Sequence, residues 1–333
     1  MKFDFEQINL IPQKCIVESR SECDTSAKLG NFTFKNPVIP ANMECVIDQN
    51  LAIQLGKNGY FYIMHRFLTN EEILNFITGI NSMNQLTNPE YKIPVSISVG
   101  VNQESYDLIN VLSDVWNPLR DRTNETYYNV DFITIDIAHG HSIKMEAMIK
   151  YIREKLPNVF IIAGNVSTLE AVKDLTEWGA DAAKVGISPG SACTTWPTTG
   201  FGSKNCQAST ILECSKHYIP IIADGGIRVP ADIAKSIVLG ATMVMIGGMM
   251  SGFKDSPGNL IRDVNGVNKK EFWGSASSFQ SNKTNRIEGT KYLIDFKDRS
   301  ILDEMIYLQE CLQSSISYGG GNNLSSLKNV KWN

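Results

Sequence analysis

Cys193 has the most chemical reach of any residue in this chain. It stands in Lys184-Val-Gly-Ile-Ser-Pro-Gly-Ser-Ala-Cys-Thr-Thr-Trp196, where an apolar run gives way to a Gly/Pro/Ser-rich turn and two threonines follow the thiol. A thiol on a tight loop after a strand suits a nucleophile, because loop N–H groups can stabilise the thiolate. An intracellular cysteine taken singly is more often a small buried hydrophobe, so the case for Cys193 depends on what surrounds it. Thr194 and Thr195 could donate hydrogen bonds near an attacking or leaving group, although a threonine at a strand-to-helix turn also serves as a helix cap.

Two glycine pairs supply a second kind of chemistry. Asp224-Gly-Gly226 and Gly247-Gly248 each follow an apolar run. Glycines let backbone N–H groups approach phosphate oxygens, and a helix N-terminus adds a favourable dipole. Asp224 is a poor phosphate ligand but a good acceptor for ribose hydroxyls, so the set points to a nucleoside monophosphate. Tight turns alone would also use these glycines. Glu288, in Arg286-Ile-Glu-Gly289, lies in a polar stretch, and a carboxylate on a lid could act as general acid or base; alone it reads as solvated surface charge. His139 and His141 flank Gly140 without a third ligand at metal spacing and read as loop histidines. No GxGxxG fingerprint follows a strand, so a nicotinamide cofactor would bind without a Rossmann domain.

The elements that must position these groups are legible as eight apolar, β-branched-rich runs, most of them separated by helix-length intervals. They are Pro37–Ala41, Tyr60–Met64, Pro94–Val99, Phe132–Ile137, Val159–Ala163, Ala182–Ile187, Pro220–Ala223 and Met243–Ile246. Thr168–Trp178 and Pro230–Leu239 carry helical periodicity and stop at Gly179 and Gly240. Eight strand–helix units predict one α/β domain over residues 1–333, a closed parallel (β/α)8 TIM barrel whose chemistry sits at the C-terminal strand ends. Gly79–Lys92 and Trp116–Asn129 are polar and read as surface loops. Residues 251–292 lack sustained periodicity and read as a flap or disordered segment after strand 8, ahead of a C-terminal helix and tail over about 299–333.

Composition sets the remaining bounds. With 43% hydrophobic and 20% charged residues the chain is globular with a sizeable core. A net charge of −4 and the lack of a basic cluster argue against nucleic acid or acidic membranes as partners. The first residues, Met1-Lys-Phe-Asp-Phe-Glu6, carry acids where a signal peptide needs an apolar core. No apolar run approaches the about 20 residues needed to span a bilayer. Seven cysteines without CxxC spacing fit neither a disulfide framework nor a zinc site, and point to a reducing cytoplasm.

Together these segments resemble the family of IMP dehydrogenases and GMP reductases, on its reductase side, from about Phe5 to Lys328. The matching segments are Ser19-Arg-Ser-Glu-Cys-Asp24, Pro40-Ala-Asn-Met43, Asp136-Ile-Ala-His-Gly-His141, Ala163-Gly-Asn-Val166, Lys184–Thr195, Ile222-Ala-Asp-Gly-Gly226, Ile246-Gly-Gly248 and Arg286–Gly289. The resemblance implies NADPH-dependent deamination of GMP to IMP and ammonia through a thioimidate on Cys193, with Thr195 and Glu288 in the proton relay. It implies that Asp224, Gly225, Gly226, Gly247 and Gly248 hold ribose and phosphate. Gly274, Ser275, Ala276, Arg286, Ile287, Glu288, Gly289 and Thr290 would approach the base. The cofactor would lie near Arg66, Asp136, Ile137, Ala138, Ile187 and Ser188. Its adenosine end would meet Ser19, Arg20, Tyr318, Gly319, Gly320 and Gly321, partly across a subunit boundary of a homotetramer.

Backbone carbonyls of Ser188, Gly190 and Cys193 would hold a monovalent cation such as potassium. The chain departs from the family pattern at Ser188, where a glycine is usual, and at Trp196-Pro197, where a basic residue is usual. A serine is expected to resist the positive φ that a glycine takes. The competing readings are an IMP dehydrogenase without its regulatory module, for which the interval before strand 3 is too short, and a non-catalytic nucleotide-binding barrel. The flap also lacks the Arg-Tyr pair with which the dehydrogenase activates water.

Overall fold

The computed structural model describes residues 2–86, 92–115, 128–274 and 289–333. A short antiparallel hairpin, β1 (Ala27–Leu29) and β2 (Phe32–Phe34), precedes the main sheet. Seven parallel strands follow: β3 (Val38–Pro40), β4 (Ser96–Val99), β5 (Phe132–Asp136), β6 (Phe160–Val166), β7 (Ala182–Val185), β8 (Ile221–Asp224) and β9 (Met243–Ile246). Their order is β3-β9-β8-β7-β6-β5-β4, so the two end strands are neighbours in the sequence. Helices α1 (Gln49–Lys57), α2 (Asn70–Leu86), α3 (Gln103–Val115), α4 (Ile143–Lys155), α5 (Leu169–Trp178), the short α6 (Thr195–Thr199), α7 (Gln207–Cys214), α8 (Pro230–Val238) and α9 (Ile301–Tyr318) complete a TIM-type α/β barrel.

The second expected strand differs. Tyr60–Met64 is buried throughout but forms no ladder. Its Met64 N–H donates to Ser96 O of β4 at 3.2 Å. Side chains make the other links: the Tyr62 hydroxyl donates to Pro94 O at 2.5 Å, and Ser98 Oγ donates to Met64 O at 2.7 Å. Pro94 has no N–H to offer a parallel ladder, and hydroxyl groups take the carbonyls that a ladder would have used.

The helix ends follow their sequence signals. Thr168 caps α5 by accepting from Ala171 N, and Gly179 ends it in the left-handed region at φ +114°. The polar reading of Gly79–Lys92 needs correction, because α2 continues to Leu86. Asn81 and Asn84 are what made that segment look like a loop. Asn81 Nδ2 donates to Asn129 O, while Asn84 exchanges hydrogen bonds with both the N–H and C=O of Ile93. Polar side chains here tie the helix to the strand region. Residues 87–91 and 116–127 lie outside the described residues.

Below the strands, the hairpin plugs the N-terminal end of the barrel with aromatic rings. Phe132 packs against Phe32, Phe61 and Phe160 with ring centroids 5.4, 4.9 and 5.3 Å apart, and Phe34 meets Phe61 at 4.7 Å. Tilted rings at these separations gain edge-to-face attraction beyond area burial.

After β9 the described part of the segment read as a flap or disordered stretch carries β10 (Leu260–Arg262) and β11 (Asn268–Trp273), which pair antiparallel with β12 (Lys291–Asp295), while residues 275–288 lie outside the described residues. Alternation in Lys270-Glu-Phe-Trp273 is short and charged, which hid the strand from a helix-oriented reading. Phe253 and Phe272, both buried, anchor this sheet on the barrel core.

Phe132→Ala would leave a cavity shared by four rings. The expected loss is about 3–5 kcal/mol, checked as a lower urea midpoint at unchanged denaturant slope.

Candidate active site

Four neighbouring strands deliver polar side chains to one point at their C-terminal ends. Lys184 of β7 lies 2.8 Å from Asp136 of β5 and 2.5 Å from Asp224 of β8, with its side chain only 3% exposed. Asn165 of β6 donates through Nδ2 to Asp224 Oδ2 at 2.8 Å and to Gly186 O at 2.6 Å. Asn42, after β3, donates to Asp136 and to Ser98 Oγ.

Burial by itself would neutralise these groups, and the partners outweigh it. Desolvation pushes the Asp136 carboxyl up, but Lys184, Arg66 and Asn42 hold it below its usual 3.8. Lys184 is likewise desolvated, yet the two carboxylates keep its ammonium above the usual 10.5. Asp136 and Asp224 against Lys184 leave one net negative charge, and Arg66 supplies the balancing field. His65 is different: burial pushes its imidazole down to about 4, so it is neutral, and Nδ1 accepts from Phe67 N at 3.2 Å.

The thiol loop leaves from this cluster. Gly186, at φ +147°, has no room for a side chain, since a Cβ there would fall 2.0 Å from Asp224 O. Ser188 takes φ +64°, the left-handed conformation it was expected to resist. The compensation is local: Ser188 Oγ accepts from Trp196 N at 2.9 Å, so the two departures from the family pattern bond to each other. Lys204 Nζ lies 5.1 Å over the Trp196 ring, returning a cation to the loop where a basic residue was missing. The Cys193 thiol, half-buried, donates to Thr195 Oγ1 at 3.3 Å. Thr194 occupies the cap position of α6 but makes no side-chain cap bond.

The same loop meets the antiparallel sheet. Cys193 and Gly289 form an antiparallel bridge, and Thr290 N donates to Ala192 O at 3.0 Å. Gly274 N donates to Thr290 O at 3.1 Å, and a Cβ on Gly274 would fall 2.9 Å from Ala192 O. Of the residues expected over the base, Gly274, Gly289 and Thr290 are therefore beside the thiol loop. Ser275, Ala276, Arg286, Ile287 and Glu288 lie outside the described residues.

The glycines of these turns differ in the room around them. Gly225 and Gly226 pack on Pro189 and Gln207, whereas nothing would meet a Cβ at Gly190 or Gly248 within 4 Å. Gly248–Met250 begins a turn of 3-10 helix after β9. Asp224 Oδ1 accepts nothing from the described residues. Among the described residues, Asn165 Oδ1 and Arg66 Nε are buried without a hydrogen-bond partner.

Ser19, Arg20 and Tyr318 through Gly321 converge elsewhere: the Arg20 guanidinium lies 5.6 Å over the exposed Tyr318 ring and donates to Ser314 Oγ at 3.3 Å. His141 Nε2 is 2.7 Å from Asp174 Oδ2 and its ring packs near Trp178, while His139 is exposed. Two central residues had no role in the sequence reading, Lys184 and Gln207. Gln207, fully buried, donates to Val185 O at 2.8 Å and to Asp224 O at 3.3 Å. Lys184 had one available signal, a lone charge inside an otherwise apolar strand run. Gln207 had none.

Fold and site together define a parallel α/β barrel whose strand ends carry a thiol loop packed against a glycine turn. The sequence matches the family model described as IMP dehydrogenase / GMP reductase domain over residues 2–332, and the chain belongs to that family. It is 50% identical over 331 residues to a GMP reductase of Lysinibacillus sphaericus (strain C3-41), covering 99% of this chain and 94% of that relative. It is 48% identical to a GMP reductase of Clostridium acetobutylicum and to one of Bacillus subtilis (strain 168), over 99% of this chain and 94% and 95% of those relatives. Among the described residues no helix is long and apolar enough to cross a membrane.

Removing the ammonium tests the charge cluster. In the native protein the Asp136 contribution is complete above about pH 4 and is lost as pH falls through its depressed value. The Lys184 contribution is complete below about pH 10 and is lost as pH rises through its elevated value. Lys184→Met removes the cation between Asp136 and Asp224, at a cost of about 3–5 kcal/mol at pH 7. Burial, the largest influence on Asp136, then raises its carboxyl above the unfolded value, so the variant should become more stable from pH 7 to pH 5, where the native protein does not. Urea midpoints at the two pH values check the sign.

Proposed function

We propose that this chain is a GMP reductase, converting GMP to IMP and ammonia at the expense of NADPH. The observation that carries the reading is the Cys193 thiol, half-buried and bonded to Thr195 Oγ1, on a loop bridged to Gly289 and packed through Pro189 on Gly225. The names of the relatives support the same assignment.

Gly225, Gly226, Gly247 and Gly248 are proposed to take the phosphate through backbone N–H groups, and Asp224 Oδ1 the ribose. The Cys193 thiolate adds to C2 of the purine. The C2–N bond then breaks, ammonia departs with a proton, and a thioimidate remains on the sulfur. An amine leaves only when protonated, so an acid must stand beside it. Thr195 Oγ1, in contact with the thiol, is positioned to pass a proton between the sulfur and that acid. Glu288 is assigned the acid on the resemblance. When C2 has been reduced, the C2–S bond breaks, and IMP and the thiolate are released.

NADPH, when bound, supplies the hydride for that reduction. The residues fit such a ligand: Arg66 Nε and Asn165 Oδ1 are buried polar atoms without a partner among the described residues, and Arg66, Asp136, Ile137, Ala138, Ile187 and Ser188 are proposed to line the nicotinamide end. Ser19, Arg20, Tyr318, Gly319, Gly320 and Gly321 are proposed for its adenosine end, with a neighbouring subunit of a homotetramer completing it. The left-handed turn at Ser188 supports a potassium site on the carbonyls of Ser188, Gly190 and Cys193. We read the chain as a single cytoplasmic catalytic domain.

Cys193→Ala should lower GMP-dependent NADPH oxidation by about 10⁴-fold or more while leaving calorimetric GMP binding within about threefold, since the thiol contributes to bond making and little to ground-state binding. NADH formation from IMP and NAD in the unmodified protein, with no NADPH consumption on adding GMP, would overturn the assignment in favour of a dehydrogenase. Unimpaired turnover in the variant would remove Cys193 from the reaction.

A further inference from the structure

The thiol loop is held to the antiparallel sheet by more than its backbone. Ser191 Oγ and the Tyr292 hydroxyl are 2.6 Å apart, two residues before the thiol on one side and in β12 on the other. Around them the main-chain pairing is brief, consisting of the Cys193–Gly289 bridge and the Thr290 N to Ala192 O bond. Side chains alternate sides along an extended segment, so a slip of one residue in such a pairing would turn Cys193 to the opposite face. A bridge this short does not fix register unaided.

We propose that Tyr292 is a positioning residue for the reacting thiol, acting through Ser191 to lock the register between the Cys193 loop and β12. The tyrosine is itself held. Its ring lies 5.2 Å from that of Phe272, tilted by 52°, and Phe272 is buried in the core. Trp273, next to Phe272, is fixed in turn: Cys45 Sγ donates to Trp273 O at 3.2 Å and accepts from Trp273 N at 3.4 Å. The lock thus runs from the barrel loop carrying Cys45, through β11 and β12, to the segment bearing the thiol. Burial pushes the Tyr292 hydroxyl up from its ordinary range, so it stays protonated and able to share a hydrogen with Ser191.

The consequence for chemistry is directional. Attack on one ring carbon requires the sulfur within a few tenths of an ångström of its line of approach. A loop free to shift by one residue would sample that position only part of the time. The proposal rests on the reading of Cys193 as nucleophile, and the test separates the two.

Tyr292→Phe, Ser191→Ala and the double variant are compared with the unmodified full-length protein. Iodoacetamide labelling of Cys193 is followed by peptide mass spectrometry, and GMP-dependent turnover is measured in parallel. Each single variant should raise the Cys193 labelling rate about fivefold and lower kcat about fivefold, the scale of one hydrogen bond, with KM for GMP within twofold. The double variant should match either single one, because both remove the same contact. Buried Cys214 in α7 serves as a control for global loosening. Unchanged Cys193 labelling, additive effects, or a matching rise at Cys214 would each overturn the proposal. If the unmodified protein consumes no NADPH with GMP, the functional reading fails, while the labelling rates still decide whether Tyr292 and Ser191 position the loop.

Discussion

The Lys184 ammonium lies buried between Asp136 and Asp224, and the ends of four adjacent strands, β5 to β8, meet around it. Such a group tolerates little displacement, because its desolvation is offset only while both carboxylates stay within contact distance. Asp136 ends β5, Asn165 in β6 braces Asp224, and Asp224 ends β8. Loops of very different length leave from these points, yet their starting positions are common to one electrostatic cluster. Gly164 shows how closely β6 must pass: a Cβ there would lie 2.6 Å from Lys184 Cβ. A buried charge in this barrel therefore aligns the strand ends, at a cost in desolvation that a hydrophobic residue would not incur.

Ser188 and Trp196 illustrate a second balance. The left-handed conformation at a non-glycine residue costs about 1–2 kcal/mol, and at Ser188 the side chain that creates the cost also makes a hydrogen bond that opposes it. That bond closes the loop around Cys193 from residue 188 to residue 196. A glycine at the same place would relax the backbone but leave the Trp196 N–H to another partner.

Much of this was legible in the sequence, for identifiable reasons. Seven strand runs, the capping of α5 by Thr168 and its stop at Gly179 follow from apolar periodicity and local backbone chemistry, which act over a few residues. The thiol loop and both glycine pairs were visible because their unusual composition is contiguous. What escaped was set by partners distant in the chain. Tyr60–Met64 looks like a strand by composition, yet side-chain hydroxyls join it to its neighbour: Tyr62 donates to Pro94 O, and Met64 O accepts from Ser98. The stretch after β9, which lacks helical periodicity, contributes β10 and β11 to an antiparallel sheet, and Phe253 and Phe272 bury themselves in a core that the segment alone does not contain. Lys184 and Gln207 acquire meaning only when β5, β6 and β8 are brought beside β7.

These contacts divide the site into a part that is one body and a part that is joined to it. Gln207 binds both Val185 O, at the base of the thiol loop, and Asp224 O, at the base of the glycine turn. Pro189 of the thiol loop packs on Gly225, and Gln207 packs under Gly226. The loop bearing Cys193 and the loop proposed to bear the phosphate thus share one set of supports at their bases, and the separation between those bases is set by the barrel. The antiparallel sheet is joined through shorter pairings, at Gly289 and Thr290. That arrangement suits the covalent reaction proposed for Cys193. The distance from anchored phosphate to sulfur has to be constant from turnover to turnover, whereas whatever covers the base has to let substrate in and product out.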